Sequence, residues 1–316
     1  MKKCQDLKIL LPIDGSEHSK RAIEFAGNIG TSFSKSLTGI SLLRVITGRY
    51  MYDHVPYFDI RTEILRQPDA FAKFKQRYID TNVKPSLDEG EKILRDMGIG
   101  AQIEKLVADG DPAHEIVRVA KEGNFSTIIM ARRGLSEIMG LLLGSVTDRV
   151  VHSATGQTVY IVGQRMPKDK KCPVPKILVP VDGSAYSMRG VEHAACIAHE
   201  LKDCMDKVML LRVVNLTFYE KRLKQGIDPD EEAKRILEVA RDAFFKEGIP
   251  EKLIETKVRL GSPHEEIIKE AEEGEYNLII MGRKGRTALK DIILGGVSTT
   301  VLHRCQNPSI AIVSSE

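Results

Sequence analysis

Ile9-Leu-Leu-Pro-Ile-Asp-Gly-Ser16 returns 168 residues later as Ile177-Leu-Val-Pro-Val-Asp-Gly-Ser184. In both places a short, wholly apolar run stops at Pro-x-Asp-Gly-Ser. A run that is apolar on successive residues fits a strand buried on both faces, as in a parallel sheet. Asp-Gly then makes a turn, and Ser16 or Ser184 opens a helix.

The repeat extends outward from this stretch. Gly110-Asp-Pro-Ala-His-Glu-Ile116 returns as Gly261-Ser-Pro-His-Glu-Glu-Ile267, and Ile128-Ile-Met-Ala-Arg-Arg-Gly134 as Ile279-Ile-Met-Gly-Arg-Lys-Gly285. Leu143-Gly-Ser-Val-Thr147 pairs with Leu294-Gly-Gly-Val-Ser298. These later offsets are 151, so the first copy carries about 17 extra residues between its second and third strands. The excess lies around Gly48 to Phe74 and holds Tyr50, Tyr52, Tyr57 and Phe58. It reads as a lid, a contact loop or a surface excursion.

Apolar runs and helical spacings alternate through each copy. Strands are expected at 37–46, 102–107, 127–131 and 158–162, and again at 207–214, 254–258, 278–282 and 309–313. Long amphipathic helices are expected near 69–97 and 229–247, with left-handed C-caps at Gly98 and Gly248. Asp111 and Ser262 are expected N-caps, each followed by proline. The order implies an α/β protein of two tandem doubly wound domains, each a five-stranded parallel sheet with helices on both faces. The boundaries read as domain 1–165, linker 166–175 and domain 176–316. The last strands, 158–162 and 309–313, are edges that would gain by pairing with each other.

Composition narrows the function. The 47 basic and 44 acidic residues nearly balance, which argues against a nucleic-acid surface. No apolar run approaches the ~20 residues needed to span a bilayer. Five scattered cysteines without Cys-x-x-Cys or zinc spacing fit reduced thiols in a cytoplasm. A soluble cytoplasmic protein is the expectation.

In doubly wound sheets, ligands sit beyond the carboxyl ends of the strands, so the loops after strands one and four matter most. Strand one ends at Asp14 or Asp182, where a carboxylate can accept from a base amine or a ribose hydroxyl. The alternative role is a plain Asp-Gly turn. Strand four leads into Ala131-Arg-Arg-Gly134, nine residues, then Gly144-Ser145-Val-Thr147. The second copy has Gly282-Arg-Lys-Gly285, nine residues, then Gly295-Gly296-Val-Ser298. Glycines permit close backbone approach, and a helix start offers free N–H groups, a plausible phosphate cradle. Taken singly, such glycines more often mark turns. The hydroxyls of Ser145, Thr147 and Ser298 are within a ligand's reach in this reading. Seven of the histidines lack a ligating partner at metal spacing and read as surface or packing groups. There is no G-x-S-x-G elbow and no Walker Gly-Lys-Ser/Thr ending, so no catalytic residue and no metal site is assigned.

The Pro-x-Asp-Gly-Ser opening, the Gly-x-Pro-x-x-Glu-Ile segment and the Gly-x2-Gly-x9-Gly-Ser/Thr pattern together resemble the universal stress protein family, once per copy. The resemblance implies an ATP-binding fold, with or without Mg2+, a role in stress tolerance, and pairing of domains through the last strand. The two copies would then form an intramolecular pseudo-dimer, and two chains a homodimer. It places Pro12, Asp14 and Val45 around adenine and ribose, and Met130, Ala131, Arg133, Gly134, Gly144, Ser145, Val146 and Thr147 around ribose and phosphates. The matching positions are Pro180, Asp182, Val213, Met281, Gly282, Lys284, Gly285, Gly295, Gly296, Val297 and Ser298. Each copy departs once. Ala131 replaces a glycine, and its methyl is expected to crowd the ribose. Gly296 replaces a serine or threonine and loses one hydroxyl. The second copy is expected to hold the better site. The alternatives are a scaffold that binds no nucleotide and a slow ATPase.

Overall fold

The computed structural model describes residues 6–47, 68–133, 143–165, 167, 172–285 and 294–314. The aromatic residues of the insertion, Tyr50, Tyr52, Tyr57 and Phe58, lie outside them, as does Gly134.

The first copy runs β1 (Leu7–Pro12), α1 (Glu17–Ser32), β2 (Leu37–Ile46), α2 (Pro68–Tyr78), α3 (Lys84–Asp96), β3 (Gln102–Asp109), α4 (Pro112–Glu122), β4 (Thr127–Ala131), α5 (Ser145–Ser153) and β5 (Thr158–Val162). The second runs β6 (Lys176–Pro180), α6 (Ala185–Leu201), β7 (Lys207–Val214), α7 (Leu216–Lys224), α8 (Pro229–Lys246), β8 (Ile254–Leu260), α9 (Pro263–Glu273), β9 (Leu278–Gly282), α10 (Gly296–Arg304) and β10 (Ser309–Val313).

The strands make one sheet in the order β3-β2-β1-β4-β5-β10-β9-β6-β7-β8. Within each copy all neighbours are parallel; β5 and β10 join them antiparallel. The strand residues divide between two cores, as burial on both faces requires. Ile9 and Leu11 pack with α1 and α3 in one layer, while Leu10 packs with α4 and α5 in the other. Among the described residues, no helix is long and apolar enough to cross a membrane.

The expected long helix near 69–97 is broken into α2 and α3 by a π turn, Ile79–Val83, where Lys84 N–H reaches the Ile79 carbonyl. Pro85 accounts for it. Proline has no N–H to give the fourth residue back, and its ring crowds that turn, so the ladder widens. Gly98 and Gly248 take positive φ, as expected of C-caps. Asp111 caps α4 by accepting from His114 N–H, but Ser262 stands at the start of α9 without a side-chain cap bond. Helix α7 was not anticipated; it buries no residue and so shows no apolar stripe.

The seam is tightly laced. Tyr160 stands directly opposite Ala311, the matching position in the other copy. Its ring lies between Phe25 and His193, themselves matching positions, with centroids 6.0 and 5.8 Å away. Tyr160 Oη and His193 Nε2 share a hydrogen bond of 2.6 Å. A Cβ on Gly163 would fall 2.3 Å from the Pro308 carbonyl, so only glycine lets the chains pass there.

Two buried arginines complete the seam by exchange. Arg132, just after β4, donates to the Leu302 carbonyl at the end of α10, and Arg283, just after β9, donates to the Val151 carbonyl in α5. Burial pulls both guanidinium groups down to about 10, leaving them cationic at neutral pH. Each lies near a helix C-terminus, where the dipole favours a cation. Cys172, Cys204 and Cys305 are free thiols.

Candidate functional site

Each copy has a cleft at the carboxyl ends of its strands. The chain leaves β1 through Ile13 to Asp14, then Gly15 at φ +81°, a conformation that side chains avoid. Asp14 Oδ1 accepts from Ser16 N–H at 3.0 Å, Ser16 Oγ at 2.6 Å and Ser19 Oγ at 2.9 Å. The turn reading of this residue is therefore realised, and it holds the carboxylate at the mouth of the cleft. Gly183 at φ +80° and Asp182, accepting from Ser184 N–H at 2.9 Å, repeat the arrangement.

The strand-four loops close on themselves. Gly144 N–H donates to the Arg132 carbonyl at 2.9 Å, and Gly295 N–H to that of Arg283 at 2.7 Å. A Cβ on Gly295 would stand 3.3 Å from Lys284 Cα, a tight contact with the loop backbone. A Cβ on Gly285 would stand 2.7 Å from Asp182 Oδ2, so loop four lies against the strand-one carboxylate. Helices α5 and α10 begin at these loops without a side-chain cap, and their first turns face the clefts. The hydroxyl protons of Thr147 and Ser298 go to the carbonyls of Ala131 (2.9 Å) and Gly282 (3.0 Å). They brace the loop, leaving only oxygen lone pairs for a ligand.

Of the residues singled out from the sequence, all those described converge. Pro12, Asp14, Val45, Met130, Ala131, Arg133, Gly144, Ser145, Val146 and Thr147 line the first cleft. Pro180, Asp182, Val213, Met281, Gly282, Lys284, Gly285, Gly295, Gly296, Val297 and Ser298 line the second. Several residues were missed. Arg44 and Arg212 project from the ends of β2 and β7 into the clefts, Arg212 with its guanidinium 5.8 Å from the Phe218 ring. The repeated Leu-Arg-Val of 43–45 and 211–213 was the available signal. Tyr78 walls the first cleft and Phe218 and His264 the second.

The clefts differ in size, about 160 Å³ in the first copy and 560 Å³ in the second. The Ala131 departure also has a different meaning from the one expected. A Cβ at the matching Gly282 would lie 2.2 Å from the Tyr186 carbonyl, against helix α6. A Cβ on Gly190 of α6 would stand 3.2 Å from Gly282 N. The first copy has alanine at both places, Ala22 and Ala131. The two methyls are thus taken up in the core between helix and strand. At Gly296 an added Cβ meets nothing within 4 Å.

Chemically, each cleft offers an apolar wall for a flat ring: Val45, Met130 and Ile116, or Val213, Met281 and Ile267. It adds a carboxylate for hydroxyls or amines, and a glycine-rich helix start with two basic side chains for an anion. Among the described residues, no group of three or more His, Cys, Asp or Glu could hold a metal ion.

The universal stress protein family model matches residues 7–162 and again 173–312. Universal stress protein YxiE of Bacillus subtilis is 33% identical over 148 residues, 47% of this chain and 93% of its own. Universal stress protein Mb2019 of Mycobacterium bovis is 22% identical over 320 residues, 96% of this chain and 94% of that protein. The crystal structure of a universal stress protein from Archaeoglobus fulgidus is 24% identical and shares the fold with a TM-score of 0.66, over 99% of this chain and 97% of that one.

Proposed function

The chain belongs to the universal stress protein family, and from that premise we propose that it is an ATP-binding regulator of the stress response, its second copy being the principal site. One observation carries this reading. In the second cleft Asp182, the glycine loop, Arg212 and Lys284 meet around 560 Å³ of space lined by apolar side chains. That volume lies within the ~300–1,000 Å³ usual for small-molecule sites. Adenine fits the apolar wall, the ribose hydroxyls fit Asp182, and the phosphates fit the start of α10. No general base or nucleophile is assigned, so occupancy rather than turnover is the regulatory variable.

Titrating the full chain with ATP tests this. Stoichiometric binding below cellular millimolar concentrations is expected, and Asp182→Ala should weaken it by about tenfold through the lost charge-assisted bonds. No affinity at millimolar ATP would overturn the reading.

A second reading applies to the first copy alone. Its cleft of 160 Å³ is below the usual range, which favours a scaffold role there. Asp14→Ala is accordingly expected to leave the high-affinity titration unchanged.

Gly296→Ser is a gain-of-function prediction. The position is open, and the new hydroxyl would face the phosphate region. One added neutral hydrogen bond, about 1 kcal/mol, should tighten ATP several-fold in the same titration. Unchanged or weaker binding would show that no phosphate lies at this helix start.

A further inference from the structure

Far from the clefts, Cys172 lies just before β6, and helix α6 ends in a turn that carries Cys204. The two sulfurs are 2.6 Å apart. That is about half an ångström beyond a covalent S–S bond of ~2.05 Å. The backbone holds them together independently of the thiols. Asp206 and Lys207 N–H both donate to the Pro175 carbonyl, at 2.8 and 3.2 Å, and Cys204 N–H donates to Leu201. Cys172 is buried and Cys204 partly exposed, so the pair has one inner and one outer member. Lys176, the first residue of β6, follows only four positions after Cys172.

We propose that Cys172 and Cys204 form a peroxide-responsive dithiol that oxidises to a disulfide fastening the linker to the second copy. The outer sulfur reacts first. The Cys204 thiolate attacks one oxygen of hydrogen peroxide; an S–O bond forms, the O–O bond breaks, and the departing hydroxide takes a proton to become water. The product is a sulfenic acid on Cys204. Cys172 sulfur then attacks Cys204 sulfur; the S–S bond forms, the S–O bond breaks, and hydroxide leaves with the Cys172 proton as a second water. Two electrons pass from the sulfurs to peroxide, so two thiols and one peroxide give one disulfide and two waters. Burial pushes the Cys172 thiol up to about 12, which keeps it protonated and agrees with Cys204 as the attacking group. The bond closes a loop spanning β6 and α6, and such closure restricts the unfolded chain.

The test uses the full chain, reduced with a phosphine, exposed to stoichiometric hydrogen peroxide, alkylated under denaturing conditions and mapped by non-reducing peptide mass spectrometry. Expected are a peptide pair joined through Cys172 and Cys204, loss of the thiols at these two positions, and an unfolding temperature a few degrees above that of the reduced protein. Cys172→Ser should stop the reaction at a Cys204 sulfenic acid that dimedone captures. Cys204→Ser should leave Cys172 a free thiol. Retention of both thiols, separate over-oxidation of Cys204, or linkage of either sulfur to a different cysteine would overturn the proposal. None of these readouts depends on nucleotide binding.

Discussion

Gly282→Ala is expected to destabilise the protein by about 2–3 kcal/mol and to cost the second cleft at least tenfold in ATP affinity. The cause is an overlap with backbone, which no rotamer change can relieve: the new Cβ would lie 2.2 Å from the Tyr186 carbonyl. Gly282 does not take positive φ, so alanine suits its backbone and stiffens the unfolded chain, a gain of about 0.4–1 kcal/mol. Overpacking of about 1–3 kcal/mol, at the top of its range for a backbone contact, outweighs that. Helix α6 must then lift from β9. Its first turn carries Ser187, which with Asp182 lines the second cleft, so the site loosens with the helix. Denaturant unfolding and an ATP titration read the two effects. The converse, Ala131→Gly, should also destabilise, by about 1 kcal/mol, because it removes a buried methyl packed with α1 and loosens the unfolded chain. A Gly282→Ala protein within 0.5 kcal/mol of the parent would mean that helix and strand adapt freely.

Acidification from pH 7 to 4 should weaken the seam by about 2 kcal/mol through His193. Burial holds this imidazole down at about 4, below its usual 6.5. The unfolded chain therefore binds the proton first as pH falls. Stability from this group is complete above pH 6.5 and is lost progressively down to about pH 4. The full linkage value is about 3 kcal/mol for such a depression. Residual exposure of His193 lowers the expectation to about 2 kcal/mol. The double variant His193→Phe/Tyr160→Phe, which places at 193 the residue found at the matching Phe25, should flatten the stability profile between pH 6.5 and 4.5. Carboxylates held low by ion pairs, such as Asp111 beside Arg149 and Glu115 beside Arg118, titrate below that window and remain as the common background. An identical slope in the double variant would remove His193 from the account.

The repeat, the strands and the ligand-facing loops were legible because they rest on local pattern. Ile9-Leu10-Leu11 must be buried on both faces wherever it occurs, and Asp14-Gly15-Ser16 carries its own turn. What was not legible depends on distant neighbours. Arg44 and Arg212 look like ordinary strand-end charges until the sheet order brings β2 beside β1 and β7 beside β6. Ala131 looked like a ligand-side change because the sequence does not say which way the Cβ points; the structure turns it to a helix more than a hundred positions earlier. Helix α7 escaped because nothing on it is buried. The exchange of Arg132 and Arg283 joins residues 170 and 132 positions apart, a separation no periodicity reports.

The pairing of Tyr160 with Ala311 has a consequence for how chains avoid one another's halves. The neighbouring pairs, Ile161 with Ile310 and Val159 with Ile312, exchange under the internal pseudo-symmetry, whereas Tyr160 and Ala311 map onto each other. They mark its axis. Two first copies meeting along this strand would bring phenol against phenol, and two second copies would leave a void between methyls. Only the unlike pair fills the space once. Covalent duplication freed the axis from self-complementarity, and the size mismatch now selects a copy's own sister over the same copy of another chain, discouraging promiscuous exchange of halves.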